Sequence, residues 1–205
     1  MLGSIVVAVD GIETLPDIDG MTPAILRAAR QAVNAAADRG RSWSAAEMRK
    51  QVNFPASYLR GQNSRLKVTQ RAKGKELESV IQGRFEPTSL ARFAKGSRSS
   101  HKKAGGVTLE INPGTATFMR RAFLIRLRSG VNFSAEAFNL GLALRVPRGQ
   151  RPDKAYKPKK LADGLFLLYG PSVDQVFRSV SADVEPRVSD YLNDEFLRLM
   201  ELDNG

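Results

Sequence analysis

The chain has 205 residues, 32 Lys and Arg against 21 Asp and Glu, a formal charge of +11, one histidine and no cysteine. The missing cysteine excludes disulfides, thiolate nucleophiles and sulfur-ligated zinc, and a single histidine, His101, excludes multi-histidine metal sites. With 42% apolar and 26% charged residues, the composition is that of an ordinary globular chain rather than a disordered one.

The charge is distributed unevenly along the chain. Residues 1–38 carry a net −3, residues 39–103 a net +12, residues 104–170 a net +7 and residues 171–205 a net −5. Such a basic body attracts nucleic acid, because Lys and Arg neutralise phosphates. It equally lets the acidic end of one subunit meet the basic body of the next. Both interpretations stay open at this point.

The N-terminal residues predict neither a signal peptide nor a membrane span. The apolar run within residues 1–10 is short and has no basic leader. No apolar stretch reaches the roughly 20 residues that cross a bilayer. We expect residues 1–21 to form a short strand or an ordered arm, followed by one domain over residues 22–205, with no membrane contact.

Helices are predicted next. The first begins at Thr22-Pro23, carries an alanine-rich stripe and ends at Gly40. The second begins at the capping box Ser44-Ala-Ala-Glu47 and runs to about Phe54. Pro55 stops it and opens a third, shorter helix. Helices joined by a tight turn beside basic residues fit either a packing helical hairpin or a DNA-binding helix-turn-helix.

Short strand-like runs separated by turn signals follow. The candidate strands are Arg65–Gln70, Leu77–Phe85, Gly106–Ile111, Phe118–Leu127, Leu140–Val146 and Leu165–Leu168. Gly170-Pro171 is expected to break the last strand, a short helix to follow over residues 172–180, and a final helix to begin near Pro186. The predicted class is α+β, with N-terminal helices, a central antiparallel or mixed β-sheet with long basic loops, and C-terminal helices.

Two basic loops interrupt the predicted strands, at residues 94–106 and 147–160. Their cations are solvated, contact phosphates without reading sequence, or meet an acidic neighbouring subunit. The candidate nucleic-acid-facing residues are Arg98, Lys102, Lys103, Lys157, Lys159 and Lys160.

No enzymatic site is predicted, and no cofactor or metal. Lys73-Gly-Lys75 lacks the preceding glycine and following hydroxyl of a phosphate-binding loop, and His101 lies in one of the basic loops, a poor place to hold a catalytic geometry. The C-terminal helix carries an apolar stripe that serves either as core or as a surface for a partner. Its candidate oligomer-interface residues are Tyr191, Phe196 and Met200.

Several features follow one another in a characteristic order. They are the helix Pro23–Ala37, the helical Ser44–Asn53, the basic Tyr58–Lys67, the small-residue loop 95–106, the run Arg120–Ile125, the run Leu168–Phe177 and the helix end Asn193–Met200. In the order and residue composition of these features, over roughly residues 22–202, the chain resembles the lambda-type minor tail protein Z family, the tail-completion proteins of long-tailed bacteriophages.

The resemblance implies a structural protein of the virion, made in the bacterial host cytoplasm, that completes the tail or forms part of the neck at the head–tail connector. It implies a homo-oligomer, first of all a hexameric ring and otherwise twelve copies, which binds other tail or neck proteins. The basic loops add the expectation of contact with double-stranded DNA without sequence preference. It carries over no catalytic, cofactor or metal residues. Two alternatives stay open: a nucleic-acid-binding protein that uses the basic loops, and a tail assembly factor absent from the virion.

Overall fold

The computed structural model describes residues 4–8, 22–60, 64–96, 105–127 and 140–203. The helices are α1 (Pro23–Gln51), α2 (Ala56–Leu59) and α3 (Val173–Asp203). The strands are β1 (Ser4–Ala8), β2 (Leu66–Gln70), β3 (Glu78–Gly83), β4 (Pro87–Ser89), β5 (Ala94–Lys95), β6 (Gly106–Leu109), β7 (Thr117–Arg120), β8 (Ala122–Arg126), β9 (Leu140–Arg145), β10 (Lys159–Ala162) and β11 (Leu165–Ser172). Every strand pair within these ranges is antiparallel, and the predicted α+β class is confirmed.

The chain divides into two compact units that alternate along the sequence. Unit 1 comprises Met1–Met48, Ala56–Phe85 and Val173–Gly205, and unit 2 comprises Arg49–Pro55 and Glu86–Ser172. Strand β1 lies inside the predicted arm and pairs with β3. The arm over residues 1–21 and the single domain over residues 22–205 stay predictions.

Unit 1 combines a three-stranded sheet with the long helices α1 and α3. The sheet order is β1-β3-β2, so that β3 is central and β1 and β2 are its edges. The core is built from apolar side chains on all of these elements except β1, whose side chains are not described; Val33 and Ile81 are fully buried and Phe177 is 1% exposed. Burial of these apolar side chains stabilises the packing of the two helices on the sheet.

The two predicted N-terminal helices are one. Helix α1 continues through Gly40, which was expected to end it. A Cβ at Gly40 would lie 3.0 Å from Val188 Cγ2 and 3.3 Å from Ile81 Cδ1, so the glycine permits a close approach of packed elements. Ser44 is fully buried and its hydroxyl finds no hydrogen-bond partner, so it does not cap a second helix. Packing here outweighs the roughly 1 kcal/mol cost of a helical glycine, and the predicted break between the first two helices at Gly40 is therefore wrong. The short helix expected after Pro55 is α2.

The C-terminal helices are also one. Pro186, expected near the start of a last helix, lies inside α3. Proline there removes one backbone hydrogen bond and ordinarily costs about 3 kcal/mol. Its side chain is exposed, whereas Val184 and Val188 on either side are buried. The buried face therefore keeps the helix continuous across the proline.

Unit 2 contains two small antiparallel sheets. One has the order β10-β11-β9-β8, with β4 also pairing with β11, and the other has the order β5-β6-β7. Its core holds the fully buried Phe54, whose ring lies 5.8 Å from that of Phe93, together with Leu142 and Leu168. Short 3₁₀ helices occupy Leu90–Phe93 and Lys154–Tyr156.

Two strand boundaries in unit 2 differ from prediction. The predicted strand Phe118–Leu127 is two strands, because Arg121 adopts a left-handed backbone with φ 61° between β7 and β8. Gly170-Pro171 does not end β11, which continues to Ser172. Over those last residues β11 pairs with β4 through a register shift, and proline is tolerated at such an irregularity.

Candidate functional site

The basic charge of the chain belongs to unit 2. Unit 2 contains 18 Lys and Arg against 5 Asp and Glu, a net charge of +13, and unit 1 contains 14 against 16, a net charge of −2. Charge of one sign concentrated on a compact unit attracts a polyanion at long range. The candidate site is therefore sought on the surface of unit 2.

The most basic described part of unit 2 is residues 145–160, named here the basic segment. Its backbone is ordered by local chemistry. Gln150 N–H donates to Pro147 O at 3.1 Å, and Asp153 Oδ1 accepts from Ala155 N–H at 2.9 Å, which caps the short 3₁₀ helix. Lys157 follows in a left-handed conformation with φ 41°. The predicted loop 147–160 thus contains a helical turn and enters β10 at Lys159.

All seven cations of the basic segment are exposed; they are Arg145, Arg148, Arg151, Lys154, Lys157, Lys159 and Lys160. Asp163 accepts from Lys160 Nζ at 2.8 Å, and Arg148 Nε lies 3.8 Å from the same carboxylate. The hydrogen bond from Lys160 lowers the pKa of Asp163, which therefore stays ionised and offsets part of the local charge. The cations that pair with no carboxylate of the described residues are Arg145, Arg151, Lys154 and Lys159.

Sheet register places two of these cations on one face. Lys159 lies opposite Leu167, and Arg145 lies opposite Leu165. Leu165 and Leu167 are two apart on β11 and therefore point to the same side of the sheet. Residues directly opposite each other on neighbouring strands share a side, so Lys159 and Arg145 lie on one face. The two strands that carry them flank β11 and are about 10 Å apart. That separation lets the two side chains reach different phosphates of one nucleic-acid backbone.

The structure brings together part of the predicted nucleic-acid surface. Lys157, Lys159 and Lys160 lie within the basic segment, and Lys160 is neutralised in part by Asp163. Arg98, Lys102, Lys103 and His101 lie outside the described residues. Sequence reasoning did not select Arg145, Arg151 and Lys154. Two signals in the sequence could have identified them. Arg145 stands at the end of a predicted strand, directly before the basic loop, and Asp153 is the one carboxylate near Arg151 and Lys154 in that loop.

The predicted oligomer anchors lie on α3 in unit 1. The ring of Tyr191 meets that of Trp43 edge-on, with 5.8 Å between centroids. This contact joins α3 to α1, so Tyr191 contributes to packing within the unit. Phe196 and Met200 are half-buried, and they remain available for a partner.

Unit 1 also contains an open cleft that sequence reasoning missed, named here the basic cleft. Its volume is about 420 Å³, and it is lined by Asp38, Arg41, Ser64, Leu66, Lys67, Val68 and Arg71. Arg71 binds Asp38 with two hydrogen bonds, of 2.9 and 3.1 Å. Arg41 and Lys67 pair with no carboxylate of the described residues. Because α1 and β2 are 15 residues or more apart in sequence, no local pattern signals the cleft.

The described ranges, 4–8, 22–60, 64–96, 105–127 and 140–203, contain no cluster of three or more His, Asp or Glu residues that would hold a metal ion. Within the same ranges, no helix has both the length and the apolar character that a membrane crossing requires. No protein-family profile, curated protein or solved structure matches the chain.

Proposed function

We propose that the chain is a structural protein of a tailed bacteriophage particle, which completes the tail or forms part of the neck as a ring bordering the path of DNA. The observation that carries the proposal is the concentration of charge in unit 2, with exposed cations on the basic segment that no described carboxylate neutralises. The order of features that resembles minor tail protein Z supports the same role.

The proposed DNA contact is electrostatic and independent of sequence. The cations of the basic segment lie on the strands β9 and β10 and on a short 3₁₀ helix, whereas base edges in the major groove are commonly read by a longer recognition helix. Phosphate contacts position a nucleic acid and carry no sequence information directly. A surface of this kind suits DNA that slides past, because a passage must accept every sequence of the genome.

The first test is the composition of purified particles. Mass spectrometry of infectious virions should detect the chain at a few to about a dozen copies. Its presence in infected cells but absence from particles would support the assembly-factor alternative and end the structural proposal.

The second test measures DNA binding against salt concentration. The variant Arg151→Ala/Lys154→Ala/Lys159→Ala removes three cations from the basic segment. Each lost phosphate contact lowers the slope of log affinity against log salt by about 0.9, so the slope should flatten by up to about 3. The matched control, Arg60→Ala/Lys73→Ala/Lys75→Ala, removes three exposed cations from unit 1 and should leave the slope unchanged.

Two results of that measurement would contradict the proposed contact. Equal flattening by both triple variants would show that net charge, not the basic segment, drives binding. Strong discrimination between duplexes of different sequence would favour the nucleic-acid-binding alternative, since phosphate contacts alone do not discriminate.

A further inference from the structure

The structure points to a binding site in the basic cleft of unit 1, and we infer that its ligand is the acidic outer face of helix α3 from a second copy of this chain. The inference names the two surfaces through which copies meet. It rests on the proposed function only in the claim that such contacts close a ring; the pairing itself is tested separately.

The basic cleft is an anion site by its chemistry. Two cations, Arg41 and Lys67, face it without a carboxylate among the described residues, and Arg71 is held in place by Asp38. Asn34 lies one helical turn before Asp38 on α1. Its Oδ1 accepts a hydrogen bond from Ala72 N–H at 3.0 Å, which fixes α1 against the chain that follows β2. The cleft wall also includes the half-buried Val68, so a carboxylate beside an apolar side chain matches the lining.

Size restricts the ligand. Pockets for small ligands span roughly 300–1,000 Å³, and the cleft, at about 420 Å³, lies near the lower end of that range. A space of this size accepts a few protruding side chains from a partner surface.

Helix α3 carries a complementary surface, named here the acidic stripe. At about 100° per residue, positions 190, 194, 197 and 201 fall within a sector of about 60°. The exposed residues of the acidic stripe are Asp183, Asp190, Asp194, Leu197 and Glu201. Leu197, 61% exposed, stands among the carboxylates, and the four carboxylates pair with no cation of the described residues.

The end of α3 carries large apolar side chains that are exposed or only half-buried. Between residues 193 and 202 no side chain is buried, although this stretch holds Phe196, Leu197, Leu199, Met200 and Leu202. A helix end with two exposed and three half-buried large apolar side chains has the composition of a surface that a partner covers. Charge on the stripe steers the approach, and Leu197, the apolar residue within the stripe, supplies apolar contact.

The α3 helix of the same chain cannot fill the cleft. Asp38 and Arg41 face the cleft from α1, whereas Gly40 and Trp43 of α1 face α3. At about 100° per residue these two pairs point in directions half a turn apart. The acidic stripe of one copy therefore meets the cleft of another, and such a head-to-tail contact forms a ring when its rotation closes.

Charge reversal tests the pairing in the full chain. Lys67→Glu in the cleft and Asp194→Lys in the stripe should each weaken self-association at least tenfold in sedimentation experiments. The matched controls, Lys73→Glu and Glu185→Lys, change charge equally at exposed positions of unit 1 outside both surfaces and should leave association unchanged. An equimolar mixture of Lys67→Glu and Asp194→Lys should recover association, because each altered surface then meets a copy of opposite charge.

Crosslinking gives a second readout for the wild-type chain. A zero-length carboxyl–amine reagent should join Lys67 of one copy to Asp194 or Glu201 of another. Failure of the mixture to recover association, or no association up to about 1 mM, would overturn the inference. Presence in virions together with a failed rescue would reject this pairing alone, and rescue without presence in virions would reject the phage role alone.

Discussion

The two units differ in charge and in architecture. Unit 1 packs two long helices on a three-stranded sheet and is close to neutral, with a net charge of −2. Unit 2 is built from short strands and carries a net charge of +13. The difference matches the two proposed tasks: contact between protein copies through unit 1, and contact with a polyanion through unit 2.

Truncating the central aromatic side chain of either unit is expected to have the largest effect on stability. Phe177→Ala in unit 1 and Phe54→Ala in unit 2 each remove a side chain that is 1% exposed or less. Each should lower the free energy of unfolding by about 3–5 kcal/mol, because a cavity is left behind. Urea denaturation followed by circular dichroism measures the loss. Phe118→Ala, at a ring 49% exposed, is the control and should cost under about 1 kcal/mol.

Two glycines of unit 1 should respond differently to alanine. A Cβ at Gly83 would lie 2.8 Å from backbone atoms of Asp174, so Gly83→Ala should cost about 1–3 kcal/mol. At Gly40 the nearest atoms are side-chain methyls, and removing a helical glycine gains up to about 1 kcal/mol. Gly40→Ala should therefore change stability by less than about 0.5 kcal/mol. A larger loss at Gly40 than at Gly83 would contradict this account of helix packing.

The surface link between α1 and α3 is expected to contribute less. The guanidinium carbon of Arg187 lies 4.0 Å from the ring centroid of Trp43. Arg187→Ala should lower the free energy of unfolding by about 0.5–1 kcal/mol. Tryptophan fluorescence reports the same contact directly, since Trp43 is the one tryptophan of the chain. Glu185→Ala on the same helix serves as the control, and an equal effect of both variants would argue against the cation–π contact.

Hydrogen-bonded carboxylates in both units should titrate below their ordinary range, and Glu110 and Glu195 allow a comparison. In unit 2 the hydrogen bond from Lys95, helped by Gly114 N–H, lowers the pKa of Glu110. In unit 1 the hydrogen bond from Arg198 lowers the pKa of Glu195. A lowered folded-state pKa contributes stability above the unfolded value near 4.5, and that contribution is lost as pH falls through the folded pKa.

Titration by NMR of the two side-chain carboxyl carbons measures both midpoints. Lys95→Met should raise the midpoint of Glu110 alone, and Arg198→Met should raise that of Glu195 alone. If Lys95→Met also raised the midpoint of Glu195, or Arg198→Met that of Glu110, net charge rather than the local hydrogen bond would set these pKa values.

Local patterns in the sequence predicted much of the secondary structure. The alternating run around Ile81 and the apolar runs around Leu142 and Leu168 became the strands β3, β9 and β11. These succeeded because period-2 alternation and short apolar runs depend on neighbours within a few residues. Uneven charge along the chain also predicted basic loops, and one of them, at residues 147–160, is the core of the basic segment.

Tertiary packing decided the features that local rules misjudged. Gly40 reads as a helix end and Pro186 as a helix start, yet Val188 and its buried neighbours keep both helices continuous. The basic cleft is lined by Arg41 of α1 and Lys67 of β2, which are distant in sequence. The acidic stripe lies on one face of α3 only because residues 183–201 belong to a single helix. The sequence determined which residues carry charge, because each side chain brings its own charge. The fold decided which charges share a surface, because that depends on contacts between segments distant in sequence.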